Sequence, residues 1–155
     1  MTAISPFCLV TTVTPKALKV LLESAGAGAY RDAHPWLMAR ELFEAAHAGG
    51  ERMALLIASG EPLQFSQWGW IESIDVVELH RGQWESRCNF GKLEAVNPIW
   101  RELDSVFLKP GDDQLRRETL EPIRQHRTAL DALHIHPYAI CETPAFVELT
   151  AQATS

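Results

Sequence analysis

Cysteine is scarce and odd in number: Cys8, Cys88 and Cys141 are the only three in 155 residues. A small secreted scaffold held by disulfides carries an even and denser set, so these three are read as buried thiols. Long apolar runs are missing as well. No stretch reaches the ~18 apolar residues of a membrane-crossing helix, and Met1 to Phe7 has neither the basic region nor the apolar core of a secretory signal. The expectation is a cytoplasmic chain without a membrane partner. Positive charge is in deficit, 14 Lys and Arg against 20 Asp and Glu, for a formal net charge of -6. That excludes a protein that coats nucleic acid non-specifically, since such binding comes from cations displacing phosphate counterions. A local basic surface is still allowed.

Catalytic signatures are also absent. There is no glycine-rich phosphate loop, nucleophile elbow, acidic dyad, Cys-x-x-Cys or His-Glu-x-x-His. Gly26-Ala27-Gly28 follows a helical pattern rather than a strand and is read as a helix stop. No catalytic residue and no cofactor is therefore assigned.

What remains is ordinary globular composition, 46% apolar and 22% charged, at the length of one domain. We expect a single domain over residues 1–155, with a sheet-containing core at about 7–107, and C-terminal helices with a returning strand over 112–141. The β-branched and aromatic run Phe7 to Val13 predicts a buried strand. Thr14-Pro15 then opens a helix carrying Leu18, Leu21 and Leu22, and a second helix starts near Pro35 and ends at Gly49-Gly50. Two helices are thus expected ahead of the main sheet. Arg52 to Ala58 is a continuous apolar strand, Gln67 to Leu79 a long strand bent or bulged near Gly69, and Trp84 to Phe90 its antiparallel neighbour across a turn at His80 to Gln83. Asn97-Pro98 should cap a short helix reaching Phe107, and Asp113 to Leu133 reads as helix broken by Pro122. His134 to Cys141 is expected to return to the sheet, and Thr150 to Ser155 to fray. The fold class is α+β: a small bent antiparallel sheet or partly open barrel with helices packed against it.

Three constellations carry chemistry. Trp68 and Trp70, two apart on a strand with Gly69 between them, share a face and fit a platform for a planar group, with Ser59 in the preceding turn; burial of both rings in the core is the alternative. Arg87 and Asn89 share a face of the next strand and offer hydrogen-bond donors, as do ordinary surface positions. His134 and His136 alternate and would project together as metal ligands, but two residues do not make a site and no metal is assigned.

The arrangement of a first strand, two helices, Gly50-Glu-Arg-Met-Ala-Leu-Leu-Ile-Ala-Ser59, and then Trp68-Gly-Trp-Ile-Glu-Ser-Ile74 with its following strand resembles the PUA-like superfold, in particular ASCH and EVE domains. It covers about residues 7–107. The resemblance implies binding of RNA or a modified nucleobase beside the sheet, at Ser59, Trp68, Trp70, Arg87 and Asn89. The expected function is non-catalytic binding of a nucleotide, modified base or unpaired nucleic acid. The alternatives are an accessory protein that docks a protein partner through Asp112 to Leu133, and a small hydrolase using His134, His136 and a carboxylate.

Overall fold

The apolar stretch Leu55 to Ala58 is buried on both faces, as a central strand must be when layers cover the sheet on either side. In the computed structural model, which describes residues 3–23, 28–110 and 128–154 and side chains through Leu149, that stretch lies in β5 (Ala54–Ser59). The other strands are β1 (Ala3–Ile4), β2 (Phe7–Thr12), β3 (Gly28–Asp32), β4 (Glu51–Arg52), β6 (Gln64–His80), β7 (Gln83–Phe90), β8 (Glu94–Ala95) and β9 (Tyr138–Glu142). The helices are α1 (Pro15–Glu23), α2 (Leu37–Ala48) and α3 (Ala145–Thr154). The architecture is α+β. A seven-stranded open sheet runs β3-β7-β6-β5-β2-β9, with β8 on β6, and β1 pairs β4 apart from it. Pairing in the large sheet is antiparallel except between β2 and β5.

Alternation along β2 and β5 divides the core between the two faces. Leu9, Leu55 and Ile57 meet Trp36, Ala39 and Phe43 around α2. Cys8, Val10, Leu56 and Ala58 meet Val106, Leu130, Phe146 and Val147 from the C-terminal part of the chain. The start of α2 is fastened by cross-chain bonds rather than a side-chain cap: Trp36 N donates to Ser86 Oγ (2.9 Å) and Ala39 N to Tyr138 Oη (3.2 Å). Gly49 closes α2, and Gly50 follows at φ +76°, a conformation that favours glycine.

β6 is long enough to serve two neighbours. Its first half pairs β5 and its second half pairs β7, across a tight turn where Gly82 has φ +74°. Two irregularities fall on either side of Gly69, between Ile57 and Ala58 of the facing strand and between Ile71 and Ser73 of β6 itself, and a third lies near the turn, between Glu78 and His80.

Several expectations require correction. Gly28 does not end a helix; it opens the edge strand β3, where a Cβ would come within 2.8 Å of the Phe90 ring. A strand therefore separates the first two helices. The stretch from Asn97 to Phe107 forms two short 3-10 turns, Pro98–Trp100 and Leu103–Ser105, and Phe107 bridges Ala129. Ala129 forms an isolated bridge and Asp131 is extended, Ala132–His134 is a 3-10 turn, and the returning strand starts at Tyr138. The C-terminus is helical to Thr154 instead of fraying at Thr150. Pro122, and Asp112 to Arg127 of the expected docking helices, lie outside the described residues. No helix among the described residues is long and apolar enough to cross a membrane.

Candidate ligand-binding surface

The layer that covers the Cys8–Val10 face of the sheet stops at Trp70. Trp68 is 2% exposed within that core, and Trp70 is half-buried at its rim, packed edge-on against Trp68 with ring centroids 5.0 Å apart. Arg52 carries its guanidinium over the Trp70 ring, 4.1 Å from the centroid. This contact crosses strands, because Ala54 faces Trp70 in the register.

Beyond Trp70 the same face is exposed at Asp75, Arg87 and Arg31. The irregularity at Glu72 keeps Ser73 and Asp75 on Trp70's side while Ile71 and Ile74 turn into the α2-side core. Asn89 faces Ser73 and Arg87 faces Asp75, and on the edge strand Ala29 and Arg31 face Asn89 and Arg87. The Asn89 amide donates to Ser73 Oγ (2.8 Å) and Asp75 Oδ2 (3.1 Å), which fixes its orientation. Arg31, Arg52 and Arg87 are all exposed. Among the described residues none of the three has a carboxylate within ion-pair distance; that contact is made only by His34 and Asp32.

Of the five positions singled out in the sequence, the fold therefore places Trp70, Arg87 and Asn89 on one exposed face. Trp68 shares that side but is covered, and its Nε1 is buried without a hydrogen-bond partner. Ser59 pairs Gln64 at the far end of β5, roughly 16 Å along the strand from the Trp70 register position at about 3.3 Å per residue. The space beside Gly69 is filled by the chain itself: a Cβ there would meet the Lys92 carbonyl oxygen at 3.3 Å. Arg31 and Arg52 were not singled out, and a Glu-Arg dipeptide before an apolar strand carries no local signal of the stack it forms.

Reactive groups are not concentrated here. Burial pushes the Cys88 thiol up to about 12, and burial followed by the neighbouring Glu142 does the same for Cys141. Burial and the facing Cys141 raise Cys8 well above its ordinary value. All three are free, buried thiols, and a neutral thiol is a poor nucleophile. The two histidines do not project together from a strand: His134 sits in a 3-10 turn, where its Nδ1 accepts from Asp131 N (3.0 Å) and Asp131 Oδ1 accepts from Leu133 N (2.9 Å). Among the described residues no three His, Cys, Asp or Glu side chains converge as a metal site would need. No protein-family model, curated protein or solved structure matches this chain.

Proposed function

We propose that the protein is a cytoplasmic, non-catalytic binding domain that holds an unpaired nucleotide, or a short single strand of nucleic acid, on the open face of β3, β7 and the second half of β6. The observation that carries this reading is the Arg52–Trp70 stack beside Arg31 and Arg87, which have no ion-pair partner among the described residues. A nucleobase stacks on an arginine plane as well as on an aromatic ring, so Arg52 supplies the contact surface and Trp70 supports it from behind. Asn89, whose two amide N–H groups are taken by Ser73 and Asp75, offers a base edge only its Oδ1 as acceptor, and Arg31 and Arg87 meet phosphates. The likeness of residues 7–107 to PUA-like domains points to the same ligand class.

The test is an anisotropy titration with a fluorescein-labelled oligouridine and with AMP as competitor. Arg52→Ala and Trp70→Ala are expected to weaken binding by about 5- to 150-fold, equivalent to the roughly 1–3 kcal/mol of one stacked base, with circular dichroism unchanged. A parent protein that binds neither probe, or variants that bind as tightly as the parent, would sink the proposal.

Salt gives a second check. Contacts from Arg31 and Arg87 to single-stranded phosphates predict a slope of log K against log[salt] of about -1.4, from about -0.7 per phosphate. Replacing Arg31 or Arg87 with glutamine should flatten it by about 0.7 each. A slope near zero in the parent would rule out the phosphate contacts.

A further inference from the structure

On the other side of the sheet, the irregularity between Ile57 and Ala58 has its own consequence. Ile57 faces Gln67 and Ala58 faces Phe65, so Ser66 is the extra residue in β6. Phe65 and Trp68, three apart, thereby share one core, and Gln64 and Gln67 are both left on the opposite side. Phe65 N donates to the Arg101 carbonyl (2.8 Å) and Val96 N to the Ser66 carbonyl (3.0 Å), which draws two further segments against the bulge. Together with α1 they line an open cleft of about 380 Å³. That size lies within the range of small-molecule sites. It opens at the C-terminal ends of the parallel pair β2 and β5, the position where open sheets with helical crossovers hold ligands.

The cleft wall is divided by chemistry. Leu18 of α1 and Val96 give it an apolar side. Ser66, Gln67 and Arg101 give it a polar one, and among the described residues none of these three side chains has a hydrogen-bond or ion-pair partner within the chain. Ser59 also lines it, with its Oγ buried and unpartnered. Arg101 offers the fork geometry that suits a carboxylate.

We propose that this cleft is a second ligand site, separate from the open face, which takes a small organic monocarboxylate with an apolar body. The carboxylate pairs with Arg101, polar groups of the body meet Gln67 and Ser66, and the apolar part lies on Leu18 and Val96. The site holds the acid without chemical change.

The experiment is a nitrogen-15 NMR titration of the full chain with N-acetyl-L-leucine, and with N-acetyl-L-leucinamide as the charge-free control. Saturable shifts at Ser59, Ser66, Gln67 and Arg101 are expected, at least about tenfold weaker for the amide and for Arg101→Gln, whose exposed position spares the fold. Gln67→Ala should weaken the acid as well, with the spectrum otherwise retained. No saturable shifts in these residues, equal affinity for acid and amide, or unchanged affinity in Arg101→Gln would overturn the proposal.

Discussion

Trp68→Ala is expected to cost about 3–5 kcal/mol of folding stability, the scale of truncating a large aromatic side chain in a packed core. The ring is 2% exposed and packs with Phe65, Val96 and Trp70, so the hole cannot collapse without moving strands. Trp68→Phe should cost far less, because it keeps most of the packing and removes the indole Nε1–H that is buried without a partner. Urea unfolding of the two variants beside the parent measures the difference. Equal and small losses in both would place Trp68 outside the core.

The second large effect appears in alkali. The Cys88 thiol has its pKa pushed from 9.0 up to about 12 by burial, so the folded chain keeps a proton that the unfolded chain releases. The stability linked to this group is complete below pH 9.0 and is lost as pH rises towards about 12. At 1.36 kcal/mol per pK unit the loss reaches about 4 kcal/mol. Cys141 titrates in the same window and in the same direction. Denaturant midpoints measured across this range should fall steeply for the parent and less steeply for Cys88→Ala. Parallel curves would show that the Cys88 thiol does not supply this alkaline dependence.

The two stability predictions rest on elements that strong patterns announce. β2 and β5 are β-branched or apolar runs, α2 ends where Gly49 and Gly50 must end it, and the turn at Arg81-Gly82 joins two alternating segments. β3 has no such signature. Gly28-Ala-Tyr-Arg-Asp32 holds one residue of high strand propensity, and it is a strand because β7 offers an edge and Phe90 leaves room for no Cβ at Gly28. The short turns after Asn97 have helical composition, but Phe107 and Leu108 are drawn into bridges with Ala129 and Cys141, and pairing overrides the helix.

The site was partly legible for a similar reason. Period-2 alternation correctly puts Trp68 with Trp70 and Arg87 with Asn89 on shared faces. Two irregularities in β6 then decide which faces meet, one bringing Trp70 into line with Ser73 and Asp75, the other turning Gln67 to the side of Ser59. A one-residue shift in a strand reverses every face beyond it. Arg52 joins the site by strand pairing, 18 positions before Trp70, and distance along the chain hides the contact.

The most direct test of the open-face reading is to map where unpaired RNA touches the protein. In a nitrogen-15 NMR titration with unlabelled oligouridine, the account predicts saturable shifts at Ala29, Arg31, Arg52, Ser73, Arg87 and Asn89 and in the Trp70 indole N–H, with little change at the buried Trp68 indole. Shifts confined to other surfaces, or no saturable shift at any of these positions, would contradict it.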